Sequence, residues 1–397
     1  MGVQKKDMQS EPAASALRKM PQSLVAAILV SMILCLALDA LTYGTNDVLF
    51  FQSYNAKAAR DGAVALYRDG AHLVAYHPEW VVPMAFPPGM LNLWAAVQHA
   101  EGATGIPFRF WFRLLTTIAY LISIVLVWRL VSTEAAIYYA LCPAAILISG
   151  FHGNADPMVV AALLASIYAA ENRGRAALSG VLFGLAFSIK LWPLFLVPAF
   201  LLGLRTWRAR IWFSVSAAAA AAVLALPHIL ADPKFIISVI MRHRPVSGFW
   251  GFSAIRPSYL GIGVPITFGA ITVAAVYLRR RKMSLMYMAG SSILLFLVLA
   301  PSFGIQYLRW ILPFCFLFGR PVTLGVYAAT SVFLAFRYTS WSDGLPWYFA
   351  DAPRVHTGWV NDLAGHLGAA CWLTLGIAAV ACLNLAAEKN SSRERRS

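Results

Sequence analysis

Residues 23–43 read SLVAAILVSMILCLALDALTY and run directly into Gly44-Thr-Asn-Asp47. A helix needs roughly 20 predominantly apolar residues to cross the hydrocarbon core of a bilayer. This stretch meets that need with one charged interruption, Asp39, near its far end. Comparable runs recur at 211–229 and 368–386. Backbone in lipid must satisfy its own hydrogen bonds, so runs of this kind are spanning helices. The first is longer than the roughly 7 to 15 residues of a signal-peptide apolar region, and no small-x-small cleavage pattern leads into a soluble remainder. It reads as a first transmembrane anchor.

Composition agrees. Of the 397 residues 60% are hydrophobic and 12% are charged, where a soluble domain carries about a quarter charged residues. The formal charge of +15 sits in short clusters between apolar segments and not in an aromatic-interleaved groove, so membrane orientation explains it and a nucleic-acid partner is not expected. The five cysteines, Cys35, Cys142, Cys315, Cys371 and Cys382, lie in or beside apolar segments without CxxC spacing. They read as packing residues, not as a disulfide framework or a zinc site.

The expected fold is an all-α polytopic bundle. Spans are placed near 22–43, 108–131, 134–151, 157–170, 176–189, 191–204, 211–230, 257–278, 283–300, 304–319, 321–337 and 366–386. That is about twelve, within a range of roughly 10 to 13, because those between 157 and 204 are short enough to be tilted or re-entrant. The domain reading is an N-tail over 1–21, one transmembrane domain over 22–386 and a basic C-tail over 387–397. Alternating the spans from a cytoplasmic N-terminus puts 19 basic and six acidic residues inside, and 13 basic and ten acidic residues outside. The positive-inside rule fits this orientation, with both termini cytoplasmic. Three long outer loops follow, at 44–107, 231–256 and 338–365. In the first, Asn46 to Ala65 and Pro88 to Ala100 are amphipathic enough to lie along the interface.

Five polar clusters fall on the outer side. Asp47 stands where the first span leaves the bilayer; partial desolvation is expected to raise its pKa and let it take a proton from a hydroxyl, although an Asp there also suits a helix N-cap. Asp39, within the span, is expected to pair inside the bundle. The turn Gly150-Phe-His152-Gly-Asn154-Ala-Asp156-Pro157 offers three polar side chains for substrate binding, or a plain helix start with Asp156 as N-cap and Pro157 first in the helix. Lys190, in Lys190-Leu-Trp-Pro193, must snorkel, pair with a carboxylate or meet an anion. Arg242-His243-Arg244 beside Gly248-Phe-Trp250 suits phosphate, because a guanidinium fork matches its oxygens; anionic headgroups would bind there equally. In Gly304-Ile-Gln306-Tyr307-Leu-Arg309-Trp310, polar groups ride on apolar bodies, as in substrate sites and aromatic belts alike.

At these residues, from about Leu38 to Pro313, the sequence resembles the GT-C superfamily of integral-membrane glycosyltransferases. Within it the likeness is to the catalytic subunit of glycosylphosphatidylinositol mannosyltransferase I and to bacterial polyprenol-phosphate-mannose-dependent transferases. The matching features are Asp47, Gly62-Ala-Val-Ala-Leu-Tyr67, Phe86-Pro87-Pro88, the Gly-Asn turn, Lys190-Leu-Trp-Pro193 and Gln306-Tyr307 to Trp310. The resemblance implies a GT-C-like bundle that transfers a hexose such as mannose from a polyprenyl-phosphate-linked sugar to a lipid or glycan acceptor of the cell envelope, on the periplasmic or other extracytoplasmic side. Asp47 would be the general base and polyprenyl phosphate the leaving group, with inversion at the anomeric carbon. Lys190, Arg242, Arg244 and Arg309 are electrostatic candidates for the leaving charge. His152, Asn154, Asp156, His243, Gln306 and Tyr307 join them as candidate substrate-binding residues. The relative's DxD-like pair is here Thr45-Asn46-Asp47, and its Gly-Asn turn has an Arg and a Glu where this chain has His152 and Asp156. A divalent metal is therefore an open alternative with no second carboxylate to hold it, no other cofactor is indicated, and the substrate need not be shared. Partners beyond substrates and membrane lipids stay open, a further subunit included. A transporter or flippase and a non-catalytic GT-C-like subunit are the competing readings. The first predicts internal repeats and a midplane site, whereas the second predicts that Lys190 and the Arg242 cluster are dispersed and not gathered around one cavity with Asp47.

Overall fold

The computed structural model describes residues 19–73, 77–84, 86–234, 250–341 and 358–394. It is a helical bundle. Helix α1 covers Gln22–Leu41, and the connecting segment that follows contains α2 (Asn46–Asp61), α3 (Ala63–Asp69), a small antiparallel pair β1 (Ala71–Leu73) and β2 (His77–Val82), and α4 (Pro88–Thr104). Then come α5 (Phe108–Leu130), α6 (Thr133–Ala140), α7 (Pro143–Ile146) continuing into a π turn at Leu147–His152, α8 (Asp156–Glu171), α9 (Ala176–Ile189), α10 (Val197–Gly203) and α11 (Trp207–Ala231). The C-terminal half adds helices Gly263–Arg280, Leu285–Leu299, Arg320–Trp341 and Trp359–Glu394.

Among the described residues, four helices are long and apolar enough to cross a membrane: Gln22–Leu41, Phe108–Leu130, Trp207–His228 and Trp359–Glu388. Thr133–Ala140 and Pro143–His152, bent by 62°, make a fifth if taken as one span. Four more apolar helical segments are shorter, Ala176–Ile189, Trp192–Gly203, Leu285–Leu299 and Ile305–Phe318. The bundle therefore differs from a set of uniform spans. The span expected over 134–151 is broken at Cys142-Pro143, where a proline removes a backbone donor. That expected over 304–319 is a run of 3-10 and α turns. The β hairpin, and the break of the interfacial helix at Gly62, were not expected from the outer loop's sequence.

Two cores hold the described residues together. The larger runs through the bundle; the smaller gathers Val48, Phe51, Tyr54, Leu66, Trp94 and Phe112 and fastens the segment between α1 and α5 to the start of α5. Val48, Phe51 and Tyr54 recur at helical spacing on one face of α2, and Phe51 stacks on Trp94 at 4.9 Å. Close backbone approach fixes α9 against α11: a Cβ at Gly180 or Gly184 would run into the Phe213 or Ala217 carbonyl. Small residues four apart serve this purpose in membrane helices. The exposed apolar side chains of α1 and α11, among them Leu29, Ile33, Val215 and Val223, form a lipid-facing surface.

Candidate active site

Helix α2 begins at Asn46 behind the extended residue Thr45, which places Asp47 in its first turn. A carboxylate there is favoured by the helix dipole. Asp47 is not the N-cap and keeps 21% of its side chain exposed. Its Oδ2 accepts a hydrogen bond from Asn154 Nδ2 and lies 3.2 Å from His152 Nε2. The other imidazole nitrogen, Nδ1, is 2.8 Å from the Tyr338 hydroxyl. With Asp47 ionised, the consistent assignment has Nε2–H donating to Asp47 and the Tyr338 hydroxyl donating to Nδ1.

A π turn supplies His152 and leads to Asn154. Such wide turns leave carbonyls without their usual helical donors. Here Thr116 Oγ1 donates to the Ser149 carbonyl at 2.5 Å and Thr45 Oγ1 to the His152 carbonyl at 2.6 Å. Gly150 lets α1 press on this turn, since a Cβ would meet Cys35 Cα at 2.7 Å. The local sequence thus ties the end of α1, the start of α2 and the His152 turn into one unit.

The expectation for the Asp47 pKa is corrected. Burial pushes it upward, but the hydrogen bonds from His152 and Asn154 and the charge of Lys190 outweigh burial and hold the carboxyl below its ordinary value. It stays ionised at neutral pH. Among the described residues, only Oδ2 of this carboxylate is engaged.

Lys190 sits in extended backbone immediately after α9 and donates to Asp156 Oδ2 at 2.7 Å. Trp310 Nε1 donates to Asp156 Oδ1, also at 2.7 Å. Asp156 is fully buried, makes no capping bond and has both oxygens taken. It therefore positions Lys190 and Trp310 and is neither the N-cap nor a residue open to substrate. The rings of Phe86 and Tyr307 lie 5.8 and 6.0 Å from the Lys190 ammonium. Trp192, Trp310 and Tyr307 stack in sequence at 4.0 and 4.2 Å. Beside them opens an apolar cavity of 610 Å³, lined by Phe195, Phe268 and Phe296 with Lys190, Gln306 and Tyr307 among its polar groups.

The structure thus brings together Asp47, His152, Asn154, Asp156, Lys190, Gln306 and Tyr307. Arg309 is different: it is fully buried between the rings of Tyr120 and Tyr139, at 4.4 and 4.8 Å, and faces the bundle interior away from the cavity. Arg242, His243 and Arg244 lie outside the described residues. Tyr338 and Arg113 were missed. Tyr338 is 186 positions from His152, and nothing in its neighbourhood marks it. Arg113, one cation near the N-terminal end of α5, could have been paired with Asp39 on depth alone. All five cysteines are free and buried. Among the described residues no three His, Cys, Asp or Glu side chains are grouped to hold a metal ion.

Both the sequence and the fold have counterparts among known proteins. The family model for glycosyltransferase family 87 matches residues 85–238, the stretch that carries Phe86-Pro87-Pro88, the His152 turn and Lys190. Two crystal structures of ArnT from Cupriavidus metallidurans, one bound to undecaprenyl phosphate and one in the apo state, share the fold. Each has a TM-score of 0.50, with 13% and 12% identity, over 93% of this chain and 77% of the ArnT chain. No curated protein matches the sequence.

Proposed function

We propose that this protein is a membrane glycosyltransferase that moves a hexose such as mannose from a polyprenyl-phosphate donor to a lipid-linked or cell-envelope acceptor. The reaction takes place on the outer face of the membrane. One observation carries the reading: an ionised carboxylate with a free oxygen, Asp47, lies within electrostatic reach of Lys190, and Lys190 lines an apolar cavity. A carboxylate, a cation and an apolar slot are what a hydroxyl acceptor, a phosphate leaving group and a prenyl chain require. The undecaprenyl phosphate bound to ArnT in one of its two crystal structures points to the same donor class.

In this mechanism the acceptor hydroxyl loses its proton to Asp47 Oδ1 as its oxygen bonds to the anomeric carbon. The bond from that carbon to the phosphate oxygen breaks on the opposite face, which inverts the centre. The departing electron pair stays on the phosphate, where Lys190 offsets the added charge. His152 and Asn154 hold Oδ2, so the proton goes to the other oxygen. Because the Asp47 pKa is depressed, its basicity is low, and most of the barrier reduction must come from orientation and charge stabilisation. The deciding test supplies Asp47→Asn protein with polyprenyl-phosphate-mannose and scores transfer product. Turnover equal to wild type would remove the general-base assignment.

A further inference from the structure

At the end of the bundle opposite Asp47 lies a second and larger cavity, of 1090 Å³, between the inner ends of α8 and α10, the starts of α9 and α11, and the turn joining Gly263–Arg280 to Leu285–Leu299. Helix α8 spans the distance between the two sites, and its 16 residues at about 1.5 Å each put them about 24 Å apart. That is close to the roughly 30 Å thickness of the hydrocarbon core, so the cavity lies at the level of the other headgroup layer.

Arg205, Arg279, Arg280 and Lys282 line it. They come from two separate connections, and none of them forms a salt bridge among the described residues. The one acid in the wall, Glu171, accepts the backbone N–H of Leu285 and, at 3.3 Å, that of Met286, and is within electrostatic reach of Arg205, which leaves Arg279, Arg280 and Lys282 as the uncompensated cations of the cleft. Held at a helix start, this charge is offset locally. The cleft is left strongly cationic.

Lys282 provides an independent observation. It is the only non-glycine described residue with positive φ, at 56°. The Met283 N–H donates to the Leu278 carbonyl at 3.1 Å and the Lys282 N–H to the Arg279 carbonyl at 3.0 Å. These two bonds define the helix ending whose left-handed position is best filled by glycine. A lysine there holds a costly backbone conformation while its side chain lines the cavity, and strain of this kind collects at functional sites.

We propose that this cleft is a binding site for a phosphate-bearing anion, either the headgroup of an anionic lipid in the facing leaflet or a soluble phosphorylated molecule. Guanidinium forks and an ammonium match phosphate oxygens. The site stands independently of the glycosyl-transfer reading.

The test uses full-length protein in neutral detergent and follows the thermal midpoint as dioleoyl phosphatidylglycerol, dioleoyl phosphatidylcholine or sodium pyrophosphate is added. Phosphatidylglycerol raising the midpoint more than phosphatidylcholine identifies the lipid source; pyrophosphate raising it identifies the soluble one. The double variant Arg279→Gln, Arg280→Gln is expected to weaken the apparent affinity roughly tenfold. Lys282→Gly is expected to raise the baseline midpoint, by relieving the backbone, while shrinking the ligand-induced rise. A purely structural lysine would not separate those two readouts. As a control, Arg129→Gln, Arg320→Gln changes two basic residues outside the cleft and should keep the full rise. The proposal fails if neither anion stabilises the wild type, if Lys282→Gly retains the full rise, or if the control variant loses as much as the cleft variant.

Discussion

Two carboxylates, Asp39 and Asp47, lie eight residues apart where α1 gives way to α2, and they live in opposite circumstances. Asp39 and Arg113 are both fully buried, with Arg113 Nε 3.0 Å from Asp39 Oδ1. The contact is an ion pair: Nε–H donates to the Arg109 carbonyl at 3.3 Å, and the terminal nitrogens donate to the Asp39 and Thr42 carbonyls, each at 2.7 Å, and to Thr42 Oγ1 at 3.0 Å. The guanidinium thereby satisfies carbonyls left open where α1 ends. Asp47 has one oxygen engaged by Asn154 and His152 and the other open. Charge inside a membrane protein is therefore a poor guide to chemistry by itself; what distinguishes the two sites is access, because the Asp39 side chain is fully buried against Arg113 whereas that of Asp47 is 21% exposed.

That contrast can be broken by substitution. Asp47→Asn should lower turnover by about 10³- to 10⁴-fold, the upper part of what a general base contributes, with the thermal midpoint unchanged. A comparable loss of activity from Asp39→Asn would erase the distinction. Arg113→Met should instead act on stability, costing about 3 kcal/mol because it strands a buried carboxylate. Denaturation of the reconstituted protein reads this, and adding Asp39→Leu should return most of the loss. Lys190→Gln should reduce kcat/KM for the donor by about 30-fold, in line with the loss of a charge-assisted contact worth about 2 kcal/mol.

The smallest effect sharpens the comparison through pH. Protonated Asp47 cannot act as a base, so activity falls as pH drops through its depressed pKa. His152→Gln removes the strongest of the interactions that lower this pKa, so the acid limb should move to higher pH, with more activity lost at pH 5 than at pH 8. Tyr338→Phe should move it less. A limb that stays in place would show that the imidazole does not govern the carboxylate.

Much of the bundle was legible because long apolar runs end at Gly, Pro or charge. The helices expected over 157–170 and 176–189 are found as Asp156–Glu171 and Ala176–Ile189. The site was legible to the extent that its members carry charge or an amide in an apolar context, as Asp47, Asn154 and Lys190 do. Direction was not legible. Arg309 and Trp310 are neighbours on a short turn and point to different places, the arginine to Tyr120 and Tyr139 and the tryptophan to Asp156. No periodicity resolves such a turn, because it is neither a full helix nor a strand. The Asp47 pKa was misjudged for a related reason. Burial can be inferred from hydropathy, but the donors that overcome it come from a turn more than 100 residues away.

One feature makes the geometry sensitive to residue count. The π turn at Leu147–His152 holds one residue more than an α-helical turn would, and each residue rotates a helix by about 100°. Removing any single residue between Pro143 and His152 would let the turn relax to regular helix and carry the imidazole around the axis, away from Asp47. Side-chain exchanges in this stretch are then tolerable in proportion to their size, whereas a one-codon deletion is not, however conservative its effect on composition.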